Sequence, residues 1–369
     1  MNILFYSPLQ TRSKDTESIM EAFVKHGENV YLLTQYSSEI YHAACVPLGV
    51  QCFSTIEAGT EGWVRKWKQI LFLIQFSKEK KIDVMYAQLE PANFIAVLAQ
   101  YFIRTKVILV RHHVDLLETD STKLAHWISI LTYKLSRNVV VVSDKAKEYM
   151  IKREGIRADK IIKINLGFNF ELWPKIDSEF IKRKRESLKS DFVLVTAARM
   201  VKSKRIDMSF LIIKKLREMG VNSSLLLLGD GEEFENLKIL ASSLGIGDYV
   251  FFTGYVDNVV DYVSVSDMMI HLSWTESSAT VVKEAGLARR PVIACEDVGD
   301  FSDYIKDGVN GFLVSKESPL EMAIQKITNY LKNRDRFSEL GNNLYASVID
   351  SFSIDSVYPE YDKLNHFAK

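Results

Sequence analysis

The sequence predicts an α/β protein built from two doubly wound, parallel sheets. Short runs rich in Val, Ile and Leu recur along the chain, and a longer segment with helical spacing of apolar residues follows each run. Strands that are buried on both faces and joined by crossover helices have this pattern. The chain has 369 residues, and at about 100 to 200 residues per domain this length suits two domains. The runs also fall into two series, which predicts one sheet in each domain.

The predicted strands of the two series are separated by a charge-dense segment, Asn169 to Ser190. The first series comprises Ile3 to Tyr6, Val30 to Thr34, Val84 to Ala87, Val107 to Val110, Val139 to Val142 and Ile161 to Ile164. The second series comprises Phe192 to Thr196, Leu225 to Leu228, Val250 to Phe252, Met268 to Leu272, Pro291 to Ala294 and Gly311 to Val314. The charged segment shows little strand character, so it is the expected linker, and its basic run Lys182 to Arg185 is expected to be a solvated helix face.

We therefore expect two domains. The first is a Rossmann-like domain over residues 1–175, on the acceptor side, and the second is a nucleotide-sugar-binding domain over 188–345. A C-terminal helix over 350–369 is expected to pack back on the first domain.

Composition excludes several classes of protein. With 47 Lys and Arg against 47 Asp and Glu, the chain lacks the basic excess that nucleic-acid binding needs. Its three cysteines, Cys45, Cys52 and Cys295, fit neither a disulfide framework nor a zinc cluster and favour a reducing compartment. No basic segment precedes the early Pro8, so we expect no signal peptide, and no apolar run is long enough to span a membrane. These features predict a cytoplasmic protein.

The loop after the first strand of the second series carries two cations, Arg199 and Lys204. Open α/β sheets bind ligands at the carboxyl ends of their strands, so these side chains are placed to meet a ligand. A diphosphate suits them, because Arg offers a planar fork and Lys a mobile point charge. Taken alone, the pair could equally be two surface cations at a strand end.

The segment from Thr275 to Gly286 predicts a phosphate-binding helix start. Ser277 or Ser278 is the expected N-cap, which would leave backbone N–H groups facing the ligand. The residues that would present these groups are Ala279, Thr280 and Val281. Glu276 would precede the helix and Glu284 would lie two turns inside it. Alternatively, Glu276 could only compensate the helix dipole, and Glu284 could be an exposed helix residue.

Two glycine turns follow other strands of this series. They are Gly229-Asp230-Gly231 and Gly254-Tyr255-Val256. Glycine allows close approach of a ligand or of another backbone segment, and Tyr255 could lie against a flat base. Each turn alone is equally typical of a plain connection between elements.

Together these features resemble the C-terminal domain of the retaining glycosyltransferases of family 4, which have the GT-B fold. The matching residues are Arg199 and Lys204, Gly229 and Gly231, Gly254, Glu276 and Glu284 with Ala285, Pro291 to Ala294, Gly299, and Gly311 to Val314. The resemblance implies that Arg199 and Lys204 bind the donor diphosphate and that Glu276 contacts the donor sugar. It also implies that Glu284 holds the ribose hydroxyls and that the base lies near Gly254, Tyr255 and Val256.

The resemblance also implies retention at the anomeric carbon without a metal or other cofactor. The chain departs from the family pattern at Ala198, where a glycine is usual, and at Ser278-Ala279, where Phe-Gly is usual. The first loop, Ser7 to Lys14, contains no glycine, whereas the family has a glycine pair there. These departures leave the donor sugar open.

A pair of histidines, His112 and His113, follows the strand Val107 to Val110. Adjacent residues on an extended segment point in opposite directions, so the two rings are not expected to hold one metal ion. The resemblance implies that a histidine of this loop faces the donor sugar. His113 is favoured because it lies deeper in the loop, and His112 is the alternative.

The segment Trp63 to Ile74 mixes aromatic residues and cations at helical spacing. Interfacial helices that contact anionic lipid have this composition, as do core helices with a solvated cationic face. Transient contact with the inner face of a membrane is therefore one expectation.

The predicted function is a nucleotide-sugar glycosyltransferase that moves a hexosyl or related unit to a glycan or lipid-linked acceptor in cell-surface polysaccharide synthesis. A nucleotide-sugar epimerase and a non-catalytic nucleotide-sugar or glycan-binding protein are the alternatives. An NAD-dependent dehydrogenase is disfavoured because no strand is followed by Gly-x-Gly-x-x-Gly.

Overall fold

The computed structural model describes residues 1–55, 62–114, 122–332 and 335–366, without the side chains of 336–338. Contacts divide the chain into two compact units. The first unit is Met1–Glu171 together with Phe352–Lys369, and the second is Leu172–Ser351. In the part of the chain that is described, no helix is both long enough and apolar enough to cross a membrane.

The first unit contains a seven-stranded parallel sheet. Its strands are β1 (Asn2–Ser7), β2 (Asn29–Thr34), β3 (Gln51–Ser54), β4 (Val84–Gln88), β5 (Lys106–Arg111), β6 (Asn138–Val141) and β7 (Ile161–Lys163). The strand order is β3-β2-β1-β4-β5-β6-β7, so successive strands are added on one side of β1 up to β3 and on its other side from β4 onward. Ile3 of β1 accordingly pairs with Val30 of β2 on one side and with Val84 of β4 on the other. The six strands predicted for this half are confirmed. The sequence did not predict β3, because this edge strand is half-buried and has no run of Val, Ile or Leu.

Helices cover both faces of the first sheet. They are α1 (Lys14–Lys25), α2 (Glu39–Cys45), α3 (Gly62–Glu79), α4 (Glu90–Ala99), α5 (Lys123–Leu135), α6 (Asp144–Lys152) and the last helix of the chain, α15 (Ile354–His366). Side chains of α3, α4, α5 and α6 share one core cluster, and those of α1, α2 and α15 share the other. In the second cluster Tyr361 of α15 packs its ring against Phe23 and Tyr86. Within the predicted helix 350–369, residues 367–369 lie outside the described part.

The second unit contains a six-stranded parallel sheet. Its strands are β8 (Phe192–Ala197), β9 (Ser223–Leu228), β10 (Val250–Gly254), β11 (Met268–His271), β12 (Val292–Cys295) and β13 (Phe312–Val314). The order is β10-β9-β8-β11-β12-β13, so the chain first builds outward from β8 on one side and then returns to its other side at β11. All six predicted strands are confirmed. The helices are α7 (Ser178–Leu188), α8 (Ile206–Glu218), α9 (Phe234–Ser243), α10 (Val259–Val265), α11 (Thr280–Leu287), α12 (Phe301–Tyr304), α13 (Pro319–Leu331) and α14 (Arg336–Phe352).

The segment expected to be a linker is largely a helix of the second unit. Asp177 caps α7 by accepting hydrogen bonds from the N–H groups of the next turn, which is how a short polar side chain starts a helix. Arg185 of α7 forms an ion pair with Asp267 at 2.9 Å. The linker prediction is therefore wrong over Ser178–Leu188. Lys182 and Arg183 are exposed, as expected for a solvated helix face.

Candidate active site

Two loops meet where the second sheet reverses its strand order. One follows β8 and the other follows β11, and because these strands are parallel neighbours their carboxyl ends lie at the same edge. The first loop carries Lys204 and the second carries Glu276, and Lys204 Nζ donates a hydrogen bond to Glu276 Oε1 at 2.5 Å. The two side chains are 19% and 11% exposed. The structure thus joins two of the predicted site residues in a largely buried ion pair.

A third side chain, which the sequence analysis did not single out, contacts the same carboxylate. His271 Nε2 lies 2.7 Å from Glu276 Oε1, and Ser273 Oγ lies 3.1 Å from that nitrogen. His271 is the last residue of β11 and is buried. The sequence contained one signal for His271, since it is a polar residue at the end of an apolar strand, at the edge of the sheet where ligands bind.

The carboxyl group of Glu276 remains ionised in this setting. Burial acts to raise its pKa, but the hydrogen bond and charge of His271, together with the charge and hydrogen bond of Lys204, outweigh burial and lower the pKa to about 2. Glu276 is therefore an anion at neutral pH. A diphosphate bound here would compete with Glu276 for the Lys204 ammonium group.

Arg205 holds the turn that presents Lys204. Its backbone is left-handed, with φ of 46°, and its guanidinium reaches the ends of three strands, β11, β12 and β13. Nε donates to the carbonyl oxygen of Leu272 at 2.7 Å, Nη1 to that of Lys316 at 2.8 Å and Nη2 to Cys295 Sγ at 3.1 Å. Because these three bonds reach two other loops, the position of Lys204 depends on more than its own turn.

Arg199, the other predicted cation, is exposed. Within the described ranges, its guanidinium forms no hydrogen bond or ion pair with another residue. The backbone around it is fixed instead, since Met200 N–H donates to the carbonyl oxygen of Asp230 at 2.8 Å. The guanidinium of Arg199 is thus presented to solvent beside the strand ends.

The glycines of the predicted turns bring three strand ends together. Gly229 has φ of +117°, and a Cβ atom there would lie 2.1 Å from the carbonyl oxygen of Ala198. Its N–H donates to the carbonyl oxygen of Gly254 at 2.8 Å. Gly229 is therefore required by the backbone of the Ala198 loop. Tyr255 is exposed at the end of β10 and Val256 is half-buried.

Helix α11 begins later than the sequence predicts. Ala279 is the N-cap and makes no side-chain capping bond, so the prediction of Ser277 or Ser278 as N-cap is wrong. The hydroxyl of Ser278 donates to Asp300 Oδ2 instead. Helix geometry leaves the first N–H groups, those of Thr280 and Val281, without an acceptor inside the helix.

Glu284 lies one turn inside α11, which corrects the expected two turns. It is buried, so it is not the exposed helix residue that was the alternative. Both predicted glutamates therefore follow β11, the strand next to the change in strand order. Glu276 lies in the loop after β11, and Glu284 lies in the helix α11 that follows this loop.

A buried polar cluster, formed by Ser278, Lys283 and Asp300, lies behind the Glu276 loop. Lys283 Nζ lies 2.6 Å from Asp300 Oδ2 and 2.9 Å from Ser278 Oγ, and the ion pair is 0% exposed on both sides. Gly299, with φ of +56°, adjoins the cluster, and a Cβ atom there would lie 3.0 Å from Glu276 Cβ. The cluster therefore connects the loop after β12 to the backbone that carries Glu276.

The histidine loop lies in the first unit and is held by Arg111. This buried residue pairs with Glu154 at 2.6 Å, and it donates hydrogen bonds to the carbonyl oxygens of His113 at 2.8 Å and Val114 at 2.6 Å. The pKa of His113 is lowered to about 4. Burial is the largest cause, and electrostatic interaction with His112 and Arg111 lowers the pKa further. The His113 ring is therefore neutral at pH 7.

His112, the alternative residue, is also in a desolvated position. Its Nε2 atom is enclosed and has no hydrogen-bond partner among the described residues. Burial lowers its pKa, and the charge of Asp15 partly opposes this change. Asp115, which follows the loop, lies outside the described residues.

Side chains organise the glycine-free first loop, Ser7 to Lys14. Ser38 Oγ donates to the carbonyl oxygen of Gln10 at 2.6 Å. Arg12 pairs with Glu17 of α1 at 2.6 Å. These contacts fix the loop at the carboxyl end of β1, beside the point where the first sheet reverses its order. Across the described ranges, no group of three His, Cys, Asp or Glu side chains is arranged to hold a metal ion.

Comparison with known proteins identifies two glycosyltransferase family models that match this chain. Residues 16–172 match the family described as Glycosyltransferase Family 4, and residues 177–346 match Glycosyl transferases group 1. The chain is 26% identical over 297 residues to N-acetyl-alpha-D-glucosaminyl L-malate synthase of Bacillus anthracis, covering 79% of this chain and 76% of the relative. It is 21% identical over 355 residues to the capsular polysaccharide biosynthesis glycosyltransferase CapM of Staphylococcus aureus, covering 91% and 88%.

A solved structure has the same fold over the whole length. Anabaena Alr3699/HepE in complex with UDP matches with a TM-score of 0.82 and 18% identity, covering 99% of each chain. The two family matches leave out only the first 15 residues, residues 173–176 and residues after 346. The chain therefore belongs to glycosyltransferase family 4, and it is a hexosyltransferase-type glycosyltransferase with the GT-B fold.

Proposed function

We propose that this enzyme transfers a hexosyl unit from a nucleotide-sugar donor to a glycan or lipid-linked acceptor, with retention at the anomeric carbon and without a metal. The observation that carries the proposal is the Lys204–Glu276 pair at the strand-order switch of the second sheet. Open α/β sheets bind their ligands at this point. The pair supplies a cation for the diphosphate and a carboxylate for the sugar at one edge.

Charge stabilisation is the proposed contribution of the second unit. The nucleoside diphosphate gains negative charge as its bond to the sugar breaks, and preorganised donors lower the energy of that transition state. Lys204, Arg199 and the free N–H groups at the start of α11 are the donors that we assign to this task. Glu284 is assigned to the ribose hydroxyls, and Gly254 with Tyr255 and Val256 to the base.

We assign His113 to the donor sugar, as a neutral ring that forms a hydrogen bond. Its low pKa supports this role, because a neutral imidazole can donate or accept without placing a positive charge beside the sugar. Arg111 then acts as a positioning residue through the carbonyl oxygen of His113.

The proposed acceptor is a glycan or lipid-linked intermediate that is used in cell-surface polysaccharide synthesis. The proposed place of action is the cytoplasmic face of a membrane. The name of the Staphylococcus aureus relative, a capsular polysaccharide biosynthesis glycosyltransferase, supports this acceptor class. Neither of the two named relatives is an epimerase, so transfer is favoured over epimerisation. The presence of Arg199, Lys204, Glu276 and Glu284 together disfavours a non-catalytic binding protein.

A product assay tests the proposed function. The purified enzyme is incubated with uridine, guanosine and adenosine diphosphate sugars in turn, and the nucleoside diphosphate released by transfer or by slow hydrolysis is measured with and without EDTA. We expect release from one class of donor and an unchanged rate with EDTA, because cations and a helix start take the place of a metal.

Two other outcomes would contradict the proposal. An intact but isomerised sugar nucleotide would identify an epimerase, and binding without any product even when a glycan or lipid-linked acceptor is supplied would identify a binding protein. Loss of release in EDTA, with recovery on adding Mg²⁺ or Mn²⁺, would contradict the metal-free site while leaving sugar transfer in place.

Substitutions of the two glutamates separate their roles. Glu284→Gln is expected to weaken binding of the free nucleoside diphosphate by roughly tenfold to a hundredfold, the range for one hydrogen bond to a charged group. Glu276→Gln is expected to impair use of the sugar nucleotide without weakening nucleoside diphosphate binding, because Glu276 faces the sugar and competes with the diphosphate for Lys204. Isothermal titration of both variants measures this difference. Equal losses in the two variants would refute the assigned roles.

A further inference from the structure

The first unit exposes two apolar stripes, one on helix α3 and one on helix α5. On α3 the stripe is Trp63, Val64, Trp67 and Leu71, and on α5 it is Leu124, Trp127, Leu131 and Leu135. Seven of these eight side chains are more than half exposed. Their spacing places each set along one side of its helix. Ile70, Leu73 and Phe76 of α3 and Tyr133 of α5 point the other way, into the core.

The two stripes lie on the same face of the unit. Helix α4 packs between α3 and α5, and the three helices cover one side of the first sheet. Trp63 contacts the ring of Phe94 on α4 at a centroid distance of 6.4 Å. Tyr101, just after α4, donates its hydroxyl to the carbonyl oxygen of Leu135. We call this surface of α3, α4 and α5 the α3–α5 face.

The charge of α3 and α5 is strongly one-sided, although the whole chain is neutral. Their cations are Arg65, Lys66, Lys68, Lys78, Lys123 and Lys134, whereas Glu79 is their one carboxylate residue. Lys66 Nζ lies 4.6 Å from the ring centre of Trp63. Lysine and tryptophan side by side combine an apolar body with a charged end that stays in water.

We propose that the α3–α5 face binds the surface of an anionic lipid bilayer. Exposed Trp and Leu residues with flanking Lys and Arg are the features of interfacial helices, in which apolar side chains enter the headgroup boundary and cations meet lipid phosphates. A second copy of this chain fits less well, because pairing two such faces would place like charges together. This inference rests on the proposed function, which places the enzyme at the cytoplasmic face of a membrane, and it names the surface of the protein that contacts the lipid.

Vesicle binding tests the proposal independently of sugar transfer. The full-length protein is sedimented with vesicles of phosphatidylcholine alone and with vesicles that also contain phosphatidylglycerol. We expect binding to the anionic vesicles only, and we expect it to weaken as salt is added. Lys66→Gln/Lys68→Gln should lower partitioning by roughly thirtyfold, the factor for losing two cations near an anionic surface.

Variants of the apolar stripes and matched controls complete the experiment. Trp67→Ser/Trp127→Ser should also lose binding, by at least about tenfold. The controls are Ile239→Ser, an exposed apolar residue on α9, and Lys182→Gln/Arg183→Gln, two exposed cations on α7. Both controls should bind vesicles as the parent protein does.

Nucleoside diphosphate affinity, measured on the same variants, should not change, because none of the substituted residues belongs to the donor site. Equal vesicle binding by the parent and the α3 and α5 variants would overturn the proposal. It would also be overturned by a stable dimer in analytical ultracentrifugation that the Trp67→Ser/Trp127→Ser variant loses. Failure of the proposed transfer reaction would leave the vesicle result intact, so the two proposals fail separately.

Discussion

Lys204→Ala is expected to lower turnover by roughly 10²- to 10³-fold, the range for losing one preorganised electrostatic donor. Lys204 is the cation that the structure holds at the strand-order switch, paired with Glu276 and fixed through Arg205. Charge on the diphosphate grows as the sugar departs, so the ammonium group matters more in the transition state than in the donor complex. The effect should therefore fall mainly on kcat, as measured by steady-state release of nucleoside diphosphate.

Lys202→Ala is the matched control for this prediction. Lys202 lies in the same short turn as Lys204 but is exposed. Removing its charge should leave turnover within a small factor of the parent. Full activity in purified Lys204→Ala, or equal losses in the two variants, would show that the ammonium group of Lys204 does not stabilise the leaving group.

Lys283→Met is expected to destabilise the second unit by about 3–5 kcal/mol, the range for breaking a buried ion pair on one side. The substitution would leave the buried carboxylate of Asp300, at 0% exposure, with only the Ser278 hydroxyl as a hydrogen-bond partner among the described residues. A buried charge without a counterion is costly because no water replaces the lost interaction. A chain with two units need not unfold in one step, so hydrogen exchange of the α11 amides is the appropriate measurement.

The double variant Lys283→Met/Asp300→Leu separates the ion pair from the packing of the site. Replacing both charges with apolar side chains should recover much of the lost stability, because the desolvation cost disappears with the charges. Amide protection in Lys283→Met that equals that of the parent would contradict the prediction. So would a double variant that is less stable than Lys283→Met.

The strands were predictable because parallel strands buried on both faces need continuous apolar runs. All twelve predicted strands are present, and β3, the strand that was not predicted, is half-buried and has no run of Val, Ile or Leu. The sequence also identified Lys204 and Glu276, although it could not show that they form an ion pair, since 72 positions separate them.

The residues that support the site were harder to predict. His271 lies at the end of an apolar run that predicts a strand and gives no sign of a contact with Glu276. Lys283 and Asp300 are separated by 17 positions and meet only after α11 packs beside the loop that follows β12. Arg111 looks like an ordinary strand-end cation until Glu154 is placed opposite it. Lys283 and Arg111 have partners in distant parts of the chain, about which local pattern carries no information. The partner of His271 is only five positions away, and its signal was the polar residue at the end of an apolar strand.

The position of α15 has a consequence for the order in which the protein folds during synthesis. Val357, Tyr361 and Leu364 complete one of the two cores of the first unit, and Lys106 Nζ donates to the carbonyl oxygen of Leu364 at 2.6 Å. The ribosome makes these residues after the whole of the second unit. The second unit, which is continuous in sequence, can therefore close its core first. The nascent first unit keeps an open apolar face until α15 has been made, and an apolar surface exposed in this way is prone to aggregation.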